Sequence, residues 1–411
     1  MTDVPESAPS TPDPAGDPAP PAASRRTPWV QLRTFSFHPC LFPSMLKTAS
    51  PDARPGDLVH VYDKQGHPFG AGLYNPRARV PLRMVHHGPQ AVGEEIFLQR
   101  LDRALQLRLD WLDLPAHTNA FRVVHSDGDG LSGLVVDRFD DVLSIETHSL
   151  GVFRRLRSWI PHLHARLHTR RAVVETDPRI ARIEGLPQPQ ALSDSVRSVR
   201  VREHGVRYEI DFVQGHKTGF FCDQRENRRQ WAGWVRGRTV LDLCCYTGGF
   251  ALAAAVLART ESVTGVDLDE TAIAQARRNA NLNQARINWV HCDAFAYARQ
   301  MQRNQRRWGA VVLDPPKLVL SREETEDGRR KYEDLNRLAL SLVDPGGLFV
   351  TCSCSGLLPA EEFESLVARA AHRSGRRLQF LDRTGAGPDH PVLSNCPESR
   401  YLKVLWTRVD P

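Results

Sequence analysis

No stretch of about 18 consecutive apolar residues occurs in this 411-residue chain, so no segment is built to cross a bilayer as a helix. Its first ten residues, M-T-D-V-P-E-S-A-P-S, hold acids and prolines where an export leader needs a basic start and an apolar core. A cytoplasmic protein with no membrane partner is expected. The eight cysteines therefore stay reduced, and none stands in a C-x-x-C pair. A disulfide framework and a structural zinc or other metal site are both disfavoured on that spacing.

What is present is the composition of an ordinary soluble protein, 41% hydrophobic and 25% charged, in a chain longer than one core usually serves. Two or three domains are expected. The formal charge is only +6, but arginine is dense in R-R-L-R (154–157), H-A-R-L-H-T-R-R (164–171) and R-S-V-R-V-R (197–202). A solvated basic face and a phosphate-tracking surface are equally good readings of these clusters.

Residues 1–28 are rich in Pro, Ala, Asp and Ser and carry too little bulky apolar surface to offset the entropy of ordering. A disordered tail is expected there. Short strand-like pieces separated by Gly, Pro and Asn fill 29–92 and predict a small β domain. Residues 94–112 place Ile96, Leu101, Leu105, Leu109 and Leu112 on roughly one helical face. That helix opens a small α/β module running over 93–205, with a second helix at 151–168. From 206 to 411, V-L-D-L-C-C (240–245), S-V-T-G-V-D-L (262–268), I-N-W-V-H-C-D (287–293), A-V-V-L-D (310–314) and L-F-V-T-C-S (348–353) alternate with helical stretches. Two further strands follow, joined without a helix. The pattern predicts a doubly wound α/β sheet whose last strand runs antiparallel.

The turn after the first of these strands reads D-L-C-C-Y-T-G-G-F. Gly248 and Gly249 let the backbone approach a ligand at a helix N-terminus, and Asp242 offers an acceptor at the strand end. This turn lacks the G-x-G-x-x-G fingerprint, which counts against nicotinamide or flavin. Asp267 closes the next strand, where such a sheet places the acid that holds ribose hydroxyls. Together with Asp293 after the third strand, these residues point to S-adenosylmethionine.

The fourth strand ends in L-D-P-P-K-L, and two prolines hold Asp314 over the carboxyl edge of the sheet. In methyltransferases acting on exocyclic amines an aromatic residue usually follows the prolines; here Lys317 does. The fifth strand ends in V-T-C-S-C-S-G-L, which brings Cys354 beside Asp314. A thiol, a carboxyl and a methyl donor in one crevice suit methylation of carbon 5 of a pyrimidine. That carbon becomes nucleophilic only after a thiolate adds to C6. A free thiol is a few per cent ionised at neutral pH, so the site must lower its pKa or supply a base. Cys352 shares the strand face of Cys354 and is read as packing; Cys244 and Cys245 are read as packing around the cofactor turn.

On these residues the sequence resembles the bacterial large-subunit (23S) ribosomal RNA 5-methylcytosine methyltransferases, from about residue 32 to 409. The shared stretches include A-G-L-Y-N-P-R-A-R-V-P-L-R (71–83), D-G-D-G-L-S-G-L-V-V-D-R-F (127–139), G-H-K-T-G-F-F-C-D-Q-R-E-N-R (215–228), Y-T-G-G-F, D-P-P-K, S-C-S-G-L, D-H-P-V (389–392) and Y-L-K. The resemblance implies a PUA-like RNA-binding domain, a small α/β middle domain and a Rossmann-like class I methyltransferase domain. It implies Cys354 as nucleophile and Asp314 as the acid on the base, with Pro315, Pro316 and Lys317 beside the substrate. Phe221, Gln224, Arg225 and Tyr246 become candidate cofactor contacts. Ribosomal RNA is the implied partner and a homodimer the implied assembly. Two positions depart from the family pattern: Leu318 stands where an aromatic often follows D-P-P-K, and Cys40 replaces a tryptophan in H-P-C-L-F. Methylation of a guanine nitrogen is the alternative activity, and a non-catalytic RNA-binding protein the alternative of another class.

Overall fold

The computed structural model describes residues 24–213 and 220–410. The expected tail up to residue 23 and the 215–219 part of the G-H-K-T-G-F-F motif lie outside the described residues. In the N-terminal region six strands form one sheet, in the order Cys40–Leu41, Leu82–His87, Pro68–Tyr74, Asp57–Tyr62, Trp29–Leu32, Leu46–Ala49. Val30, Leu32, Val59, Val61, Leu82 and Met84 alternate with polar neighbours and bury one face as its core.

The middle module is a four-stranded sheet, Ala120–His125, Leu134–Phe139, Val142–Thr147 and Arg171–Glu175. A helix at Leu150–Leu167 packs on it through Leu156, Trp159, Leu163 and Leu167. The helix expected over 94–112 is α-helical only over Glu95–Gln106 and widens to a π turn at Leu107–Trp111. That turn carries Arg108 inward, where its guanidinium holds both carboxylate oxygens of Asp129 at 2.6 and 2.9 Å.

An antiparallel hairpin, Ser198–Glu203 and Val206–Asp211, follows. The boundary expected at 205/206 falls in its tight turn, where His204 and Gly205 both take positive φ. The hairpin docks as a unit on the C-terminal domain: the backbone N–H of Glu209 donates to Asn279 at 2.8 Å, and Gln275 donates to the Glu209 carbonyl at 2.9 Å.

The C-terminal domain is a seven-stranded sheet: β1 (Thr239–Leu243), β2 (Ser262–Asp267), β3 (Asn288–His291), β4 (Trp308–Leu313), β5 (Val343–Ser353), β6 (Arg377–Thr384) and β7 (Lys403–Asp410), in the order β3-β2-β1-β4-β5-β7-β6. Its first five strands are parallel, and β7 runs antiparallel between β5 and β6, as the strand pattern predicts. β1, β4 and β5 are nearly continuous apolar runs because helices cover both faces. Among these helices are α1 (Arg225–Trp234), α2 (Gly249–Leu257), α3 (Glu270–Leu282) and α4 (Ala294–Arg303). The strand order reverses between β1 and β4, which opens a crevice at their carboxyl ends.

Candidate active site

Asp242 sits near the end of β1, buried, and one carboxylate oxygen accepts the Ala251 N–H of α2 at 2.9 Å. Its other oxygen is buried with no protein partner. Burial pushes this carboxyl up to about 8. Between β1 and α2 the chain turns through positive φ at Cys244, Tyr246 and Gly248, a conformation that costs energy in the two non-glycine residues and persists only when surroundings hold it. Asp267 supplies part of that hold, accepting the Tyr246 N–H at 2.8 Å and the Asp269 N–H at 2.9 Å. At Gly248 a Cβ would stand 2.5 Å from the Trp289 ring, so only glycine fits this close approach at the head of α2. Asp293 caps α4 by accepting the Ala296 N–H at 2.9 Å. The Phe221 ring meets Tyr246 edge to face at 5.3 Å over the turn.

Register brings the second half of the crevice together. Leu313 of β4 pairs with Thr351 of β5, so Asp314 and Cys352, the next residues, come level. The Asp314 carboxylate accepts from the Gln224 amide at 3.1 Å, level with Cys352 on the neighbouring strand. Burial first, and then the charge of Asp223, push the Asp314 carboxyl up to about 7. Cys352 itself is fully buried, and burial pushes its thiol well above the usual range. Cys354 lies just past the end of β5, half-buried, packed with Cys352 against the core beneath β1 and β7. Pro315 is buried, whereas Pro316 and Lys317 are exposed on the crevice rim.

Lys403 is a residue of this site that carries no local motif beyond Y-L-K. It pairs with Ser353 across β5 and β7 and is 6% exposed. Its ammonium donates to the carbonyl of Ser355, the residue after Cys354, at 2.6 Å and to the Tyr401 carbonyl at 2.9 Å. Burial pulls its pKa down to about 8, with an electrostatic contribution from Cys354 that raises it.

Two of the expected cofactor contacts also make polar bonds within the chain. Gln224 donates its amide to Asp314 and accepts from Asn227 at 2.6 Å. Arg225 is wholly buried, and its guanidinium holds both Asp389 oxygens at 2.9 Å while its Nε reaches Glu226. Asp389 in turn accepts the backbone N–H of Arg122 at 3.0 Å, and its carbonyl accepts Arg108 at 2.6 Å. The D-H-P-V motif is thus the joint between the middle and C-terminal domains. A cavity of about 500 Å³ bordered by Ser262, Arg277, Asn288 and Trp289 lies at the amino ends of β2 and β3, the rim of the sheet opposite the crevice.

A family model described as S-adenosylmethionine-dependent methyltransferase matches residues 190–406, and one described as a PUA-like domain matches 32–87. The chain is 33% identical over 378 residues to ribosomal RNA large subunit methyltransferase I of Pseudoalteromonas atlantica, covering 90% of this chain and 95% of that one. The enzyme of the same name from Serratia proteamaculans is 32% identical over 379 residues, at the same coverage. The chain belongs to the ribosomal RNA large subunit methyltransferase I family. Among solved structures, SMU.776 complexed with SAH superimposes with a TM-score of 0.74 at 19% identity, over 87% of this chain and 93% of that one. A Streptococcus mutans protein does so at 0.73 and 19%, over 86% and 92%. Both share the fold.

As in the rest of this methyltransferase family, the cofactor is S-adenosylmethionine. The crevice fits it. One Asp242 oxygen is buried with no protein partner, the turn at Gly248 heads α2 beside it, and Asp267 and Asp293 stand at the ends of β2 and β3.

Proposed function

We propose that this protein methylates carbon 5 of a cytosine in large-subunit ribosomal RNA through a covalent adduct with Cys354. S-adenosylmethionine supplies the electrophilic methyl group. Everything else falls to the chain's own residues. The Cys354 thiolate adds to C6 of the cytosine, and Asp314, protonated at neutral pH in half of the molecules, donates to N3 and takes up the charge that develops across the ring. After methylation at C5, water takes the C5 proton, the thiolate is expelled, and N3 returns its proton to Asp314, which restores the aromatic ring. Lys403 acts on the thiol through charge: an ammonium held beside Cys354 favours the thiolate. Pro316 and Lys317 lie on the open side, where an extruded base would enter with its phosphate.

The observation that carries this reading is the convergence of a near-neutral carboxyl, a half-buried thiol and a buried ammonium at the carboxyl ends of β4, β5 and the start of β7. Methylation of a guanine nitrogen would need no such thiol. The names borne by the relatives support ribosomal RNA of the large subunit as substrate.

The reading is tested with Cys354→Ala, which is expected to abolish methyl transfer while cofactor binding by calorimetry survives. Ribosomal RNA transcribed with 5-fluorocytidine is expected to trap wild-type protein as a denaturation-resistant adduct and to leave the variant free. Full turnover by Cys354→Ala, or unchanged 5-methylcytidine in ribosomal RNA of cells lacking the gene, sinks it.

A further inference from the structure

Near its start the chain reads H-P-C (38–40), and near its end C-P-E (396–398). Folding brings these two proline-centred tripeptides together between the PUA-like and methyltransferase domains. Among the described residues, one group of three side chains has the donor types and spacing of a metal site: His38, Cys396 and Glu398, with ligand atoms all within 4.8 Å of one another. The loop that brings Cys396 is fastened locally. Asn395 donates to the Phe37 carbonyl at 2.6 Å, and Ser399 donates its hydroxyl to the Cys396 carbonyl at 2.7 Å. Glu398 enters on the short turn Pro397–Ser399.

The orientation of His38 is the second observation. Its Nδ1 lies 2.9 Å from the Cys40 carbonyl oxygen and 2.9 Å from the Cys40 amide nitrogen, while Nε2 faces Glu398. The Cys40 backbone thus holds the ring in either tautomer: its N–H donates to Nδ1 when Nε2 carries the proton and bonds Glu398, and its carbonyl accepts from Nδ1 when Nε2 offers its lone pair. Metal binding selects the second tautomer, in which a backbone carbonyl orients the ligand ring. Cys396 is buried, but the Glu398 side chain is 60% exposed, so the group opens to solvent on one side. An ion has an entry path there, and water has room for a fourth position.

We propose that His38, Cys396 and Glu398 form a zinc site that clips the PUA-like domain to the methyltransferase domain. A thiolate, an imidazole and a carboxylate together suit zinc, whereas calcium and magnesium prefer oxygen alone. The nearby Cys40 thiol is engaged elsewhere, 3.6 Å from Asp127 and 3.5 Å from Ser132, and three ligands suffice without it. The rival account is an ion pair between His38 and Glu398 with a bystander thiol.

Cobalt titration of full-length, chelator-stripped protein separates the two. The zinc site predicts one equivalent of cobalt bound with a thiolate-to-metal charge-transfer band, displaced by zinc. Cys396→Ser removes the band. Glu398→Gln, at an exposed side chain that leaves the fold intact, weakens zinc by at least the roughly 10–100-fold that loss of an outer-shell partner costs. Zinc also raises the thermal midpoint of the wild type and not of Glu398→Gln. A wild type that takes up no stoichiometric metal, or a band and affinity unchanged in both variants, overturns the proposal in favour of the ion pair.

Discussion

Replacing Asp314 by asparagine interrogates the proton on which the proposed chemistry depends. Burial is the largest cause of the upward shift, Asp223 adds to it, and the Gln224 amide opposes it, leaving the carboxyl at about 7. About half of the molecules therefore hold the proton at pH 7, and on the order of 1% at pH 9. A carboxyl that must donate to cytosine N3 lowers kcat/KM about tenfold per pH unit above that midpoint, set against the rise that Cys354 ionisation contributes below the thiol's own pKa, so the wild-type profile levels off where that of Asp314→Asn climbs. Asparagine keeps the shape but has no proton to transfer. The variant is expected to lose roughly 10²–10⁴ in kcat/KM and to lose the limb near pH 7 as well. Lys403, at about 8, contributes a separate falling limb that survives the substitution, and the two are read as macroscopic constants of one site. The assay is transfer of labelled methyl to a ribosomal RNA transcript at subsaturating RNA, between about pH 5.5 and 9.5. Gln224→Leu removes the opposing amide and moves the limb upward. There is a readout independent of turnover. A carboxyl raised on folding contributes stability that is complete at low pH and lost as pH rises through about 7, so unfolding midpoints of Asp314→Asn should depend less on pH than those of wild type. If wild-type kcat/KM keeps climbing from pH 7 to 9 in parallel with Asp314→Asn, the role of a neutral acid is refuted.

Lys403→Met keeps the bulk but removes the ammonium held on the Ser355 carbonyl, one residue from Cys354. The rate of Cys354 alkylation is expected to shift to higher pH by about one unit, with partial recovery in Lys403→Arg; an unmoved alkylation profile excludes charge stabilisation of the thiolate. Asp389→Asn leaves the buried Arg225 guanidinium without its counter-charge and should cost about 3–5 kcal/mol by urea unfolding. A cost below about 1 kcal/mol would mean that this joint between domains carries no weight. Gly248→Ala sets a Cβ against Trp289 at a φ of +90°, and about 1–2 kcal/mol of left-handed strain is expected as lost stability by urea unfolding, with cofactor binding weakened where the turn shifts to relieve it. Unaltered stability would remove the close approach at that turn from the argument.

The sheet was legible in the sequence for a local reason. Each of β1, β2, β4 and β5 is a short apolar run that ends at or beside a polar residue, so the strand and its functional terminus are written in the same few residues. The same locality separates Cys352 from Cys354. Two residues apart on a strand places both on one face, but register sets Cys352 level with Asp314, wholly buried, while Cys354 reaches the rim. The thiol level with the acid is the less reactive one, because burial holds it protonated.

What the sequence hid is the set of polar partners that only folding brings together. Arg225 is a candidate cofactor contact by its place in K-T-G-F-F-C-D-Q-R, and nothing in that stretch records the partner its guanidinium finds in Asp389, 164 residues on. Lys403 follows a plain Y-L-K, and its meaning comes from the antiparallel insertion of β7 next to β5. The absence of C-x-x-C bears only on ligands that share a loop. His38 and Glu398 are 360 residues apart, each presented beside a proline from its own domain. Local periodicity has no access to such pairs, since nothing near either residue records the other. They are nevertheless predictable in kind. A buried charge is tolerated only where the fold supplies its partner. A buried arginine, lysine or cysteine in the structure is therefore the place to look for what the sequence could not say.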